Sequence, residues 1–229
     1  MNIIINGGSR GIGKEVALFM SQDINNQIIV TGRNIKALKA VSTASSNIHA
    51  VETDLSNPDK LAVNYSENIL SYFKSVDILI NMAGALVSEE FMKMEEKDAR
   101  SMMETNFFGP ASVIRIIKPL MPPGSHIVNV SSMGGYQGSV KFSGLSYYSS
   151  SKAAIACLSE CLAEEFKDDD ISVNCLALGS VQTEMLKEAF PGYKAPVEAA
   201  EIAPFIAWFA VNCHKFMNGR IIPVAMKNP

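Results

Sequence analysis

"NGGSRGIGK", residues 6–14, can be read in two ways that lead to different chemistries. Counted from Gly8 it is G-x-x-x-x-G-K, the pattern of a phosphate-binding P-loop. Counted from Gly7 it is G-x-x-x-G-x-G, a glycine pattern of dinucleotide sites. A P-loop needs Ser or Thr after its lysine, because that hydroxyl ligates Mg²⁺. Glu15 stands there instead, and a carboxylate close to the phosphates supplies no such hydroxyl. The dinucleotide reading fits better. The loop follows the strand-like "NIIIN" (2–6) and opens a helix at "GIGKEVALFMSQ", so backbone N–H groups and the helix dipole face a pyrophosphate. Glycines allow the tight turn and the close backbone approach. The spacing departs from the standard G-x-G-x-x-G, so the rest of the chain decides.

Outward from the loop, short β-like runs alternate with longer helical patterns. Strands are expected at 2–6, 27–32, 48–54, 76–81, 125–132, 171–178 and 219–225. Helices are expected from Gly11, in "NIKALKAVSTA", and over about 57–74, 96–120, 147–167 and 197–212. The strands are rich in Ile and Val and apolar on both faces, as in a buried parallel sheet. Strict alternation with right-handed crossovers predicts an α/β fold. It is a Rossmann-like, doubly wound parallel sheet of about seven strands with helices on both faces, in a single domain over 1–229. No linker, repeat or low-complexity tract interrupts it.

Composition narrows the function. Apolar residues make up 48% and charged residues 19% of the 229, which suits a compact soluble protein. A net charge of −3 argues against a nucleic-acid partner, whose binding surface would be basic. The longest apolar stretches, such as 202–211, are about half of a membrane span, and no leader follows Met1. The expectation is a cytoplasmic protein without a membrane partner. Cys157, Cys161, Cys175 and Cys213 form no C-x-x-C and read as small buried apolar residues. His49, His126 and His214 are scattered, so no metal site is expected.

The second strand ends in "VTGRN". An NAD site places Asp or Glu near here to bind the ribose 2′-OH. This chain offers Arg33, and Arg10 within the glycine loop. Two cations and no carboxylate suit a 2′-phosphate, which an arginine fork grips, so NADP(H) is favoured over NAD(H).

"YYSSSK" (147–152) opens the long helix after strand five. Tyr148 and Lys152 are i and i+4, about 40° apart around the helix, and can share one cleft; Tyr147, at i+5, lies about 140° away. A neighbouring ammonium stabilises a phenolate, which makes the pair a general acid/base unit. Strand five itself ends in "NVSS" (129–132), at the sheet edge where ligands bind, and a serine there can hold a substrate oxygen.

With these motifs assembled, the chain resembles the short-chain dehydrogenase/reductase family, in particular its NADPH-dependent carbonyl and 3-oxoacyl reductases. The resemblance covers essentially the whole chain. It rests on G-x-x-x-G-I-G at 7–13, "NMAG" at 81–84, "TNFFG" at 105–109, "VSS" at 130–132, "YSSSK" at 148–152 and "VNCLALGSVQT" at 173–183.

The resemblance implies a catalytic set of Asn106, Ser132, Tyr148 and Lys152. Tyr148 would protonate the carbonyl oxygen and Ser132 would polarise it. Lys152 would lower the Tyr148 pKa and bind the nicotinamide ribose, and Asn106 would anchor a relay water. It also implies cofactor contacts from Gly7, Ser9, Arg10, Gly11, Ile12, Gly13, Arg33, Asp54, Leu55, Asn81, Ala83, Gly84, Val181 and Thr183, beside Tyr148 and Lys152. Asp54 matches the adenine-binding position and Val181 and Thr183 the carboxamide-binding segment.

The chain departs from the family pattern in several places. Asn6 stands for the leading Thr, Met82 for the second Asn of Asn-Asn-Ala-Gly, and Leu178 for a Pro before Gly179, which would loosen that turn. Ser132 and Tyr148 are 16 positions apart where the resemblance leads one to expect about 13, so residues 133–147 carry a small insertion and Ser131 is a fallback catalytic serine.

The substrate loop is expected at 183–196. Its mixed character favours a small or polar carbonyl or alcohol substrate. The helix after Lys152 is apolar nearly all round and should be covered on both sides, by the sheet and by a partner subunit of a homodimer or homotetramer. The alternative function is a catalytically silent, NADP(H)-binding regulatory protein of the same fold. An epimerase or dehydratase of the extended branch would need a longer C-terminal region.

Overall fold

A computed structural model describes residues 1–57, 61–63 and 65–226, the side chain of Ser66 excepted. Nine strands follow in chain order among these residues: β1 (Asn2–Asn6), β2 (Gln27–Gly32), β3 (Ile48–Glu52), β4 (Ile78–Asn81), β5 (His126–Ser132), β6 (Ser172–Leu178), β7 (Val181–Gln182), β8 (Val197–Glu198) and β9 (Ile221–Val224). Seven of them form one sheet in the order β3-β2-β1-β4-β5-β6-β9. Every pairing in it is parallel. The winding direction reverses between β1 and β4, so a crevice opens at the C-terminal ends of these two strands.

The helices are α1 (Gly11–Met20), α2 (Ile35–Ser42), α3 (Glu96–Met103), α4 (Gly109–Ile117), α5 (Ser146–Glu165), α6 (Glu184–Ala189) and α7 (Ala199–Asn212). They cover both sheet faces, and strand periodicity decides which residue goes where. Ile3 and Ile5 pack in one core with Val16 of α1 and Ile206 of α7. Ile4, between them, packs in the other with Val113 and Ile117 of α4. All three isoleucines are fully buried, and each such side chain contributes about 2 kcal/mol. With two covered faces the strands have no reason to alternate apolar with polar.

The differences from the sequence reading lie at element ends and in loops. The single helix expected over 96–120 is α3 and α4 joined by a π turn, Glu104–Phe108, and closed by a 3₁₀ turn at Lys118–Leu120. The helix expected over 57–74 falls partly outside the described residues; within it a π turn spans Tyr65–Ile69. The substrate loop contains α6, and its base is closed by β7 pairing with β8 through Val181 and Val197. Leu178 does not loosen its turn: it is buried, pairs with Val224, and Gly179 N–H donates to the Val224 carbonyl at 2.8 Å.

The cysteine reading needs correction. Cys175 and Cys213 are buried, but Cys157 and Cys161 are exposed. Among the described residues, nothing covers Ala153, Cys157 and Cys161 on the outer face of α5, where Glu160 and Glu164 are exposed beside them. Among the described residues, no helix is long and apolar enough to cross a membrane.

Candidate active site

A cleft of about 1120 Å³ runs along the C-terminal ends of the strands. Gly7, Ser9, Arg10, Gly11, Ile12, Gly13, Arg33, Asp54, Leu55, Ala83, Gly84, Val181 and Thr183 line it, as do Ser132, Tyr148 and Lys152. Asn81 and Asn106 do not; both are buried beneath it.

The glycine loop is shaped by close backbone approach. Gly7 has φ +89°, and a Cβ there would stand 2.6 Å from the Ala83 nitrogen. A Cβ on Gly13 would stand 2.3 Å from the Gly7 carbonyl oxygen. No side chain fits at either position. Arg10 is the N-cap of α1, and neither it nor an acidic first-turn residue caps the helix, so the first N–H groups remain directed at the cleft. At the adenosine end, the Thr53 hydroxyl is buried, lines the cleft and has no hydrogen-bond partner. Asp54 next to it accepts from Ser56 N–H at 3.0 Å and Ser56 Oγ at 2.8 Å. A backbone cradle, an orphaned hydroxyl and an exposed Arg33 are together a donor set that fits a dinucleotide carrying phosphate groups.

The cleft floor is a chain of buried amides. Thr31 Oγ1 donates to Asn6 Oδ1 at 2.8 Å, Asn6 Nδ2 to Asn81 Oδ1 at 2.6 Å, and Asn81 Nδ2 to Asn129 Oδ1 at 2.8 Å. Asn129 Nδ2 then donates to Ser159 Oγ of α5 at 2.9 Å. The parallel register makes this possible, because Asn6 pairs with both Thr31 and Asn81, and Asn81 with Asn129. It also explains Asn6 itself. Its amide donates to Asn81 while accepting from Thr31 and from the Tyr65 hydroxyl. Met82 instead packs against the apolar core.

The Ser132 and Tyr148 side chains line the same cleft despite the 16-position separation, and the serine hydroxyl is near enough to act on the tyrosine. The inserted segment loops away: Tyr136 N–H returns to the Ser132 carbonyl at 3.1 Å, and Glu89 N–H holds the Gly144 carbonyl at 3.0 Å. Tyr147 stacks on Phe91 with ring centroids 5.5 Å apart, while Tyr148 points into the cleft. The Ser131 hydroxyl donates to the Lys152 carbonyl at 2.6 Å and is buried, so the fallback serine has a structural task.

The charges differ from the expectation that Lys152 lowers the Tyr148 pKa. Burial pushes Tyr148 up from its ordinary value, relieved in part by the Ser132 hydroxyl. Lys152, buried in turn, is pushed down to about 8, and its Nζ donates to the Val130 carbonyl at 3.0 Å. Desolvation is the main cause of both shifts, because each charged form loses water.

Asn106 sits in the π turn, a helix irregularity that often marks functional sites. Its Oδ1 accepts from Ala85 N–H at 2.7 Å, and its Nδ2 donates to the Ala85 carbonyl and to Ser151 Oγ, both at 2.9 Å. The Cβ that Gly84 lacks would lie 3.5 Å from both Asn106 Oδ1 and Lys152 Nζ. The missing side chain leaves a gap between those two atoms.

The substrate side is more apolar than the loop at 183–196 suggested. Leu86, Phe142 and Leu145, from outside that loop, join Met185, Leu186 and Phe190 along the wall. Sequence reasoning missed these three, and also Thr53, although a polar residue ending strand three beside Asp54 was a usable signal. It missed Glu188 as well. That carboxylate binds Arg10 Nη1 at 2.7 Å and Nη2 at 3.4 Å from 178 positions away, and no sequence pattern announces such a contact.

Fold and site together define a doubly wound nucleotide-binding protein with a serine, a tyrosine and a lysine converging at its crevice. The family of short chain dehydrogenases matches over residues 1–194, and the chain belongs to it. It is 33% identical over 192 residues to a Chlamydia trachomatis 3-oxoacyl-(acyl-carrier-protein) reductase FabG, covering 80% of this chain and 75% of that one. It is 32% identical over 199 residues to the rat (Rattus norvegicus) dehydrogenase/reductase SDR family member 7B, where the match covers 80% of this chain but only 58% of the relative. A crystal structure of a dehydrogenase/reductase from Sinorhizobium meliloti superposes with a TM-score of 0.84 at 26% identity, covering 98% of this chain and 93% of that one. The family is one of nicotinamide-dependent oxidoreductases acting on small molecules.

Proposed function

We propose that this protein is an NADP(H)-dependent carbonyl reductase, acting reversibly on a ketone and its secondary alcohol. The observation that carries the reading is the Ser132–Tyr148 hydroxyl pair in a cleft continuous with the glycine loop, with Lys152 one helical turn from Tyr148. The bound cofactor supplies the hydride donor or acceptor.

The chain's own residues supply the proton. The Tyr148 hydroxyl, which burial pushes up from its ordinary value, carries a proton to give, which suits a general acid for an oxygen gaining negative charge. Ser132 holds that same oxygen. Lys152, charged below about 8, makes proton loss from Tyr148 easier as the reaction proceeds. The gap at Gly84, bordered by Asn106 Oδ1 and Lys152 Nζ, is where a relay water would stand.

Arg10 and Arg33 flank the adenosine end, and their charge supports NADP(H) over NAD(H). The apolar wall of Leu86, Phe142, Leu145 and Phe190 supports a substrate with an apolar arm beside its carbonyl. The uncovered α5 face around Ala153, Cys157 and Cys161 supports a subunit interface.

The test is oxidation of NADPH and NADH across a panel of carbonyl compounds, with Tyr148→Phe as the control. Wild type should turn over at least one ketone with NADPH preferred. The variant should bind NADPH normally and lose about a thousandfold in rate. If wild type and variant are equally inert while NADPH binds, the regulatory reading replaces this one.

A further inference from the structure

Arg10 already has an anion in its fork. The two Glu188 carboxylate oxygens lie 2.7 Å from Nη1 and 3.4 Å from Nη2, and both side chains are about half exposed or more, 48% and 65%. This is the two-point geometry with which a guanidinium also takes a phosphate. Glu188 rides on α6, which lies against the glycine loop. The Cβ that Gly11 lacks would be 3.3 Å from Thr183 Cγ2 and 3.6 Å from Glu184 Oε2. Two carboxylates, Glu184 and Glu188, therefore act on Arg10, and both hold its proton more tightly. Arg33, which lines the same cleft, makes no ion pair among the described residues.

We propose that Glu188 is a cofactor-specificity residue: its carboxylate occupies Arg10 as a built-in competitor for the 2′-phosphate of NADP(H). The inference rests on the NADP(H) reading of Arg10. A dianionic phosphate has to displace Glu188 or sit beside it against like-charge repulsion, and either way Glu188 weakens NADP(H) binding. An exposed ion pair is weak, so displacement is readily achieved. NAD(H) carries no 2′-phosphate and leaves the pair intact. The competitor therefore narrows the discrimination that Arg10 and Arg33 create. Because α6 also carries Met185 and Leu186 of the substrate wall, displacing Glu188 releases one tether of that wall.

The test is equilibrium binding of NADPH, NADH and adenosine 2′,5′-bisphosphate to the intact chain, followed by fluorescence or calorimetry without turnover. Glu188→Gln keeps the size and removes the charge. It should tighten NADPH and the bisphosphate by about two- to fivefold and leave NADH unchanged. Arg10→Ala should weaken NADPH by about tenfold or more and leave NADH unchanged. If Arg10→Ala weakens NADPH as expected while Glu188→Gln has no effect or weakens it, the competitor role is overturned and the NADP(H) reading stands. If Arg10→Ala leaves NADPH affinity unchanged, the NADP(H) reading of Arg10 fails and the competitor role fails with it.

Discussion

The two rims of the cleft are built on different principles. The cofactor rim is made of backbone, with Gly7, Gly13 and the Ala83 peptide so close that the absence of side chains sets the shape. The substrate rim is made of side chains: Phe142 and Leu145 from the inserted loop, and Met185, Leu186 and Phe190 from α6 and its C-terminal end. A rim of backbone tolerates almost no change in residue type. A rim of side chains tolerates many, at the price of a different ligand. The contrast makes quantitative expectations that differ by rim.

The largest effect is expected at the cofactor rim. Gly13→Ala places a methyl group 2.3 Å from a backbone oxygen that has no room to yield. It should destabilise the fold by about 3 kcal/mol and abolish NADPH binding, read by thermal unfolding and cofactor titration. Near-wild-type affinity in that variant would show that the loop is pliable and dissolve the contrast.

Away from both rims, at the N-terminal end of β5, His126 sets the acid limit within which either rim can be assayed. It is fully buried, bonded to the Ala210 carbonyl at 2.8 Å and to Asn174 Nδ2 at 3.0 Å, with the His214 ring 5.5 Å away. Burial pushes its pKa from about 6.5 down to about 4. The unfolded chain then binds the extra proton between those values. The contribution is fully present above about pH 6.5 and about 3 kcal/mol is lost as pH falls to about 4. Melting temperature measured from pH 7.5 to 4.5 should fall accordingly, and His126→Gln should flatten that slope.

The smallest effect belongs to the substrate rim. Phe142 is 53% exposed at the mouth of the cleft, so only part of its surface can meet a ligand. Phe142→Ser should raise KM about fivefold, roughly 1 kcal/mol, for ketones with a long apolar arm, and leave kcat and the KM of a small ketone unchanged. A large fall in kcat would make this rim part of the catalytic frame.

The same division governs what the sequence discloses. The sheet was legible because buried parallel strands must be apolar on both faces, as Ile3, Ile4 and Ile5 are. The glycine loop and the choice of Tyr148 over Tyr147 were legible because backbone room and helical angle depend on local spacing alone. The Arg10–Glu188 pair, the amide chain from Thr31 to Ser159 and the placement of Phe142 depend on contacts between distant segments. The upward shift of Tyr148 and the downward shift of Lys152 were not legible for a related reason. Spacing reveals that two groups are near one another, but not how much water each has lost.

The inserted loop is fastened at two posts, the Tyr136–Ser132 backbone bond on one side and the Glu89–Gly144 backbone bond on the other. Between them the chain can lengthen, shorten or be exchanged without moving the atoms that do chemistry. For an engineer, residues 137–143 are an interchangeable cartridge, a place to graft new ligand preference onto an undisturbed reaction. The same arrangement offers natural selection a stretch of chain in which insertions carry little risk.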